Sequence, residues 1–309
     1  MKSKFIGSLV GTGVGDGVGA GFEGWRMVEP EEVKSAADRR DVLSYTDDTH
    51  MMIGMAESLA ENQGFDGEHM AHTFMENFER EPWRGYGPGP PRIFRLIRAG
   101  EAWDRVAERL YRGGSYGNGS AMRIAPVGVL YHDDLAGLRE VAYRSSQITH
   151  SHELGKEGAA LQGCAVALAA NLDPAVALNP RQFLAELDGF IHHEVYKQKL
   201  DKAADLLSET DRATVAGELG TGIEAFNSVP AAVYSFVSHS RSFEEAVLFA
   251  VSLGGDTDTI GAMTGAISGA YLGIGSIPER WRMKLENRLY IEELAEKLYE
   301  IDIRTRGSG

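Results

Sequence analysis

The chain has 309 residues and a formal net charge of −14 at pH 7. A negative field of this size repels nucleic acid and anionic membranes, so we expect neither as a partner. The single cysteine, Cys164, excludes an intrachain disulfide, and its apolar neighbours predict a buried thiol rather than a nucleophile. No apolar run reaches the ~18 residues that a membrane span needs, so the expected location is cytoplasmic.

Glycine recurs at every fourth position in two segments of the sequence. The two ladders are Gly7, Gly11, Gly15 and Gly19 and, near the C-terminus, Gly261, Gly265, Gly269 and Gly273. On a helix each ladder occupies one face, where a neighbouring backbone can approach closely. Glycine costs about 1 kcal/mol relative to alanine inside a helix, so these faces need a packing reason. We therefore expect two buried helices at the centre of an all-α fold.

Amphipathic helices are predicted along the rest of the chain. Their signals are a possible cap at Asp133 and Asp134, an apolar stripe over 154–168, a capping box at Ser242–Glu245 and a second stripe over 291–301. The segment 81–91, dense in proline and glycine, predicts a functional surface loop. Because no domain linker is evident, we predict a single-domain orthogonal helical bundle over 1–305 and a disordered tail over 306–309.

Two clusters of carboxylates and hydroxyls lie far apart in the sequence. Thr46-Asp47-Asp48-Thr49 is near the N-terminus, and Asp256-Thr257-Asp258-Thr259 follows Gly254-Gly255 near the C-terminus. Their hard oxygen donors are those that Mg²⁺, Mn²⁺ and Ca²⁺ prefer. Carboxylates beside apolar residues are costly unless they are neutralised, and two divalent cations would balance four of them. Taken alone, the first cluster is equally typical of a helix N-cap.

Two other interpretations of the acidic and glycine-rich motifs are disfavoured. Gly15–Ala20 matches a loose dinucleotide-binding pattern, but the strand–helix–strand context that this pattern requires is missing. Asp256-Thr257-Asp258 matches the D-x-D motif of haloacid-dehalogenase-type phosphatases, which follows a strand. Here a predicted helix precedes the motif, and only 50 residues follow Thr259.

A third glycine-rich segment, Gly114–Arg123, leads into a predicted helix. Its amides could cradle a phosphate, and Tyr116 could stack on a sugar or base. The alternative is an ordinary loop with an Asn-Gly turn. His150 and His152 are alternate residues and rarely share one ligand face, so we expect one of them to contact a ligand rather than both to bind a metal.

Five segments together resemble the ADP-ribosylglycohydrolase family, most closely its ADP-ribosylserine hydrolase branch. They are Gly15–Glu23, Thr46–Thr49, Gly114–Arg123, Thr149–Ala159 and Gly254–Gly261, in the order of the family. The resemblance implies a dozen or more helices around a central cleft that holds two Mg²⁺ ions, with Mn²⁺ as a possible substitute. Position 120 is serine in this chain and glycine in some relatives. The sequence around Glu23 also departs from the family pattern.

The resemblance also implies roles for individual residues. The implied metal ligands are Thr46, Asp47, Asp48, Asp256, Asp258 and Thr259. The implied substrate-binding residues are Gly114, Ser115, Tyr116, Gly117, Asn118 and His150. Proton transfer falls to Glu23 or Asp48, and the commitment of metal-site carboxylates to coordination favours Glu23.

The implied reaction is hydrolysis at C1″ of an ADP-ribose unit carried by a serine side chain, an acetyl group or a poly(ADP-ribose) chain. ADP-ribosylated proteins and ADP-ribose derivatives are then the partners. The alternatives are an ADP-ribosylarginine hydrolase of the nitrogenase-regulating type, a catalytically silent ADP-ribose-binding protein and a structural protein related to lens crystallins. No heptad or interface stripe is apparent, so a monomer is expected.

Overall fold

The computed structural model describes residues 1–209 and 211–307. Within these residues the chain forms α-helices and three 3₁₀ turns but no β-strand, which confirms the predicted all-α bundle. The α-helices are α1 (Lys2–Gly19), α2 (Pro30–Arg39), α3 (Asp47–Asn62), α4 (Gly67–Arg80), α5 (Gly89–Arg98), α6 (Val106–Leu110), α7 (Ala125–Leu130), α8 (Leu135–Ser146), α9 (Glu153–Asn171), α10 (Pro180–Phe190), α11 (Glu194–Asp205), α12 (Arg212–Leu219), α13 (Ala225–Ser238), α14 (Phe243–Ser252), α15 (Thr257–Leu272), α16 (Glu279–Arg282) and α17 (Arg288–Gly307). The 3₁₀ turns are Asn118–Ser120, Leu206–Ser208 and Ile274–Ser276.

The two glycine ladders face each other where α1 and α15 pack antiparallel at the centre of the molecule. A methyl group at Gly11 would lie 2.3 Å from the carbonyl oxygen of Gly265, and one at Gly15 would lie 2.0 Å from that of Gly261. Side-chain carbons do not approach backbone this closely, so only glycine permits the contact. The predicted close approach is confirmed, and it sets the C-terminal end of α1, at Gly19, against the first turn of α15.

Other helices surround this central pair. Helices α17, α7 and α3 pack on α1, whereas α14, α13 and α9 pack on α15. The buried side chains of these helices, among them Leu9, Val14, Met52, Val166 and Ile260, form one continuous apolar core. The two helices that carry the glycine ladders are thereby enclosed, and their ends near Gly19 and Thr257 are fixed relative to α3.

Several local predictions are confirmed. Asp134 caps α8 by accepting a hydrogen bond from the Gly137 amide (2.9 Å), and Ser242 caps α14 by accepting one from the Glu245 amide (3.2 Å). The Cys164 thiol is fully buried, and burial raises its pKa to about 12. None of the described helices combines the length and the apolar character that crossing a bilayer demands. Of the predicted tail, residues 308 and 309 lie outside the described part of the chain.

Candidate metal centre and cleft

The last turns of α1 bring the two acidic clusters together. Thr257, the first residue of α15, donates its hydroxyl to the carbonyl oxygen of Gly19 (2.9 Å). One turn earlier on α1, the carboxylate of Asp16 bonds to the start of α3. The N-termini of α3 and α15 therefore converge on the same end of α1, and residues of both clusters line one cleft.

Asp16 holds the first cluster in place. The backbone N–H and the hydroxyl of both Thr46 and Thr49 donate hydrogen bonds to its carboxylate at 2.6–3.1 Å. Thr46 is the N-cap residue of α3, yet its own side chain makes no capping bond. The cap comes instead from Asp16, which is fully buried and whose pKa burial raises to about 6. Sequence reasoning missed this role, although an acidic residue within a glycine ladder expected to be buried was an available signal.

The second cluster is held by an amide and by a tight backbone contact. The side-chain amide of Asn118 donates to the carboxylate of Asp256 and to the hydroxyl of Ser228. The backbone N–H of Asp256 donates a hydrogen bond to the carbonyl oxygen of Thr221 (2.8 Å). A methyl group at Gly255, which has φ +79°, would lie 2.2 Å from that same carbonyl oxygen, so this position requires glycine. Asn118, predicted to bind substrate, thus supports the carboxylate of Asp256.

Glu23 lies in the loop that follows α1, beside the second cluster. One carboxylate oxygen from each of Glu23, Asp256 and Asp258 lies within 4.8 Å of the others, which is close enough to share a cation. The backbone of this loop bonds to that of Gly255. The Gly24 N–H donates to the Gly255 carbonyl oxygen (2.8 Å), and the Gly255 N–H donates to the Trp25 carbonyl oxygen (2.9 Å). The Glu23 side chain itself is exposed, in contrast to the buried aspartates.

The acidic centre gathers carboxylates that are shielded from water and whose negative charges repel one another. Burial, and then neighbouring carboxylates, raise the pKa of Asp47 to about 7, that of Asp258 to about 9, and that of Asp48 well above its usual value. Asp48 is 2% exposed, and its Oδ1 atom has no hydrogen-bond partner among the described residues.

An unpartnered buried oxygen within a set of hard oxygen donors fits a divalent cation. The residues of this chain that could hold such a cation are Glu23, Thr46, Asp47, Asp48, Asp256, Asp258 and Thr259.

The acidic centre lines a cleft with a volume of about 380 Å³. Among the predicted substrate-binding residues, Ser115, Gly117, Asn118 and His150 line it. Gly114 and Tyr116 do not: Gly114 packs against the backbone of His152, and Tyr116 is 48% exposed beside Phe226. The predicted roles of these two residues in binding substrate therefore gain no support from the geometry.

The predicted functional loop contributes a second wall of the cleft. Its lining residues are Gly85, Gly87, Pro88, Gly89 and Pro90. Tyr111, Met122 and Ile223 also line the cleft, and sequence reasoning did not identify them. No local motif distinguishes these three from ordinary core or surface residues.

His150 forms part of the cleft wall in its neutral state. Burial, and then the charge of Arg123, lower its pKa to about 3. Its Nδ1 atom is 2.7 Å from the Thr149 hydroxyl, and a methyl group at Gly119 would lie 2.4 Å from its Cε1 atom. The ring therefore rests directly on the Asn118–Ser120 turn, and glycine at position 119 makes this contact possible.

Comparison with known proteins gives consistent matches over almost the whole chain. The family model described as ADP-ribosylglycohydrolase matches residues 1–307. Human ADP-ribosylhydrolase ARH3 is 32% identical over 305 residues, which cover 89% of this chain and 84% of the human protein. The protein of the same name from Xenopus tropicalis is 35% identical over an alignment that covers 98% of this chain and 96% of the Xenopus protein. A solved structure titled "ADP-ribosylglycohydrolase-related protein complex" has a TM-score of 0.76 at 27% identity, with 97% and 98% covered.

Proposed function

The chain belongs to the ADP-ribosylglycohydrolase family, and we propose that it hydrolyses the C1″ bond that links ADP-ribose to a serine side chain. The family and the enzyme class expected from the motifs are confirmed. The observation that carries the proposal of hydrolysis is the convergence of two acidic clusters and Glu23 in a 380 Å³ cleft. A cleft of this size suits a small-molecule ligand. O-acetyl-ADP-ribose and poly(ADP-ribose) are further proposed substrates.

The acidic centre of the cleft suits the charge that develops in this reaction. Breaking the C1″ bond produces an oxocarbenium-like ribose, which nearby carboxylates stabilise. Lewis acidity would be supplied there by two Mg²⁺ ions, or by Mn²⁺, held by the two clusters. To the exposed Glu23 carboxylate we assign the role of holding and moving the proton of the attacking water. Asp48 is buried and accepts a hydrogen bond from the Thr46 hydroxyl (3.1 Å), which makes it less suited to that role.

The other walls of the cleft would orient the ligand. Neutral His150 offers its Nε2 atom beside Gly117, since a methyl group at Gly117 would lie 3.3 Å from it. We place the diphosphate along residues 115–119 and the adenosine toward Tyr111 and the 85–90 segment. This orientation puts the ribose that bears C1″ at the acidic centre.

The substrate assignment is tested by release of free ADP-ribose. The protein is incubated with Mg²⁺ and with serine-linked, arginine-linked, O-acetyl or polymeric ADP-ribose. We expect release from the serine-linked and O-acetyl substrates and none in excess EDTA. Preferential release from the arginine-linked substrate would favour the nitrogenase-regulating type of hydrolase. Tight binding of ADP-ribose without any turnover would show a catalytically silent binding protein.

Glu23→Gln tests the proton-transfer residue separately. The amide keeps the shape of the side chain but cannot accept a proton, so hydrolysis should slow by about 10²-fold while ADP-ribose still binds. The binding constant from calorimetry and the single-turnover rate distinguish the two effects. Loss of binding with an unchanged single-turnover rate would reassign Glu23 to ligand binding.

A further inference from the structure

Arg123 is a buried cation that forms no ion pair among the described residues, although the charge of Asp47 acts on it. Its side chain is fully buried and lies over the ring of Phe74, 4.9 Å from the ring centre. Its terminal nitrogens donate to the carbonyl oxygens of Gly119 (2.7 Å) and Ser145 (3.2 Å), and its Nε atom has no partner among the described residues. Arg84, also buried, instead pairs with Glu81 and Glu286. A buried unpaired charge is costly, so its retention requires a reason.

The guanidinium lies directly behind one wall of the cleft. Its Nη1 atom contacts the Met51 sulfur (3.8 Å) as well as the Gly119 carbonyl, and both residues line the cleft. His150, which rests on Gly119, also lines it. The positive charge of Arg123 contributes to the low pKa of His150, so its field reaches this wall. Arg123 therefore adds positive charge behind this wall, next to the acidic clusters, since Asn118 of the same turn bonds to Asp256.

Backbone amides alone are poorly placed to attract an anion to this wall. Three of the amides expected to bind the diphosphate already have partners within the protein. The backbone N–H of Gly114 donates to the carbonyl oxygen of Tyr111 (2.7 Å), and that of Asn118 donates to the carbonyl oxygen of Ile223 (2.9 Å). The backbone N–H of Gly117 donates to the Ser115 hydroxyl (3.2 Å). A ligand with two phosphates entering a chain of net charge −14 needs another source of positive potential. Arg123 is placed to provide it without a direct contact.

We propose that Arg123 is a positioning residue that holds the Asn118–Ser120 turn through Gly119 and whose buried charge favours an anionic group, the diphosphate of the ligand, at that wall. The identity of the anion rests on the proposed function. Cations and ribose are then held by the acidic clusters, and the phosphates by the neighbouring turn that Arg123 supports.

The test compares two substitutions that separate charge from hydrogen bonding. Arg123→Lys keeps the charge, whereas Arg123→Gln keeps a donor for the Gly119 carbonyl and loses the charge. Arg280→Gln, at an exposed position that does not line the cleft, changes the net charge equally and serves as control. Dissociation constants are measured for ADP-ribose and for uncharged adenosine in the same Mg²⁺ buffer, with folding checked by circular dichroism.

For Arg123→Gln we expect the dissociation constant of ADP-ribose to rise by about tenfold and that of adenosine to change less than about twofold, because the buried charge acts only on charged ligands. Arg123→Lys and Arg280→Gln should keep the ratio of the two dissociation constants, for ADP-ribose and for adenosine, that the wild-type protein shows. Equal weakening of both ligands would indicate a structural effect on the wall and overturn the proposal. Failure of Arg123→Gln to fold would assign the guanidinium to core stability and also overturn it. Absence of ADP-ribose binding by the wild-type protein would instead reject the proposed function.

Discussion

The two acidic clusters have similar sequences and both begin helices, yet the fold supports them in opposite ways. At α3 the support is a carboxylate, Asp16, which accepts hydrogen bonds from backbone amides and hydroxyls. At α15 the support is an amide, Asn118, which donates a hydrogen bond to a carboxylate. The first arrangement adds negative charge behind the acidic centre, and the second adds a neutral donor. Similar local motifs therefore do not predict similar electrostatics, because the neighbouring segments supply the partners.

The largest expected effect tests whether both clusters serve one centre. Asp48→Asn and Asp258→Asn should each lower the turnover number by at least about 10³-fold, since each removes a charged oxygen donor from the shared site. Initial rates of ADP-ribose release measure the loss. Asp201→Asn, at an exposed position of α11, is the control for an aspartate-to-asparagine change. Near-normal turnover in only one of the two variants would mean that the clusters act separately.

The glycine contact between α1 and α15 is expected to have the next largest effect, because it brings the clusters together. A methyl group at Gly265 would lie 2.1 Å from the Gly11 carbonyl oxygen, so Gly265→Ala should lower the free energy of unfolding by about 3 kcal/mol. A methyl group at Gly217, on an exposed face of α12, would have no neighbour within 4 Å. Gly217→Ala should therefore raise the free energy of unfolding by about 0.5–1 kcal/mol. Urea unfolding measures both. A stable Gly265→Ala protein would show that the two helices can move apart.

Replacing the two supporting residues sharpens the comparison directly. Asp16→Asn removes an acceptor from several buried donors, and we expect a loss of about 2–3 kcal/mol in the free energy of unfolding. Asn118→Ala removes one donor to Asp256, with an expected loss of about 1 kcal/mol. Urea unfolding at neutral pH ranks the two variants. If Asn118→Ala proves the more destabilising, the second cluster depends more on its support than the hydrogen bonds indicate.

The stability of the metal-free protein is also expected to depend on pH. Asp16, Asp47 and Asp258 have pKa values raised to about 6, 7 and 9, whereas an unfolded aspartate titrates near pH 4. Between about pH 4 and pH 9 the metal-free folded protein holds more protons than the unfolded chain, so its stability falls as the pH rises. Divalent cations held by the ionised carboxylates should counter this decline.

Melting temperatures in EDTA and in excess Mg²⁺ measure this dependence. The difference between the two conditions should be several degrees larger at about pH 8 than at about pH 5. A melting temperature in EDTA that is constant over this range would contradict the raised pKa values.

Much of the architecture follows from local patterns. The capping boxes, apolar stripes and glycine ladders predicted the helices and their central packing because helix signals are local and periodic. The acidic motifs identified the residues that converge at the cleft because hard oxygen donors are chemically distinctive. The Pro-Gly segment 81–91 also predicted a functional loop, and part of it lines the cleft.

Other features depend on contacts between segments far apart in the chain. Asp16 caps a helix that begins after residue 46, Asn118 bonds to Asp256, and Arg123 lies behind a wall completed by His150. Tyr116 was expected in the cleft but lies beside it, because its partners His152 and Phe226 come from other segments.

The helical class, the close packing of the two glycine faces and the oxygen chemistry of the site were all predictable from the amino-acid sequence. The residues that support the acidic clusters, and the position of Arg123 behind the cleft, became evident from the packed chain alone. Helix periodicity and donor chemistry are properties of neighbouring residues. Hydrogen-bond partners and electrostatic fields depend on distances that exist only after the chain has packed.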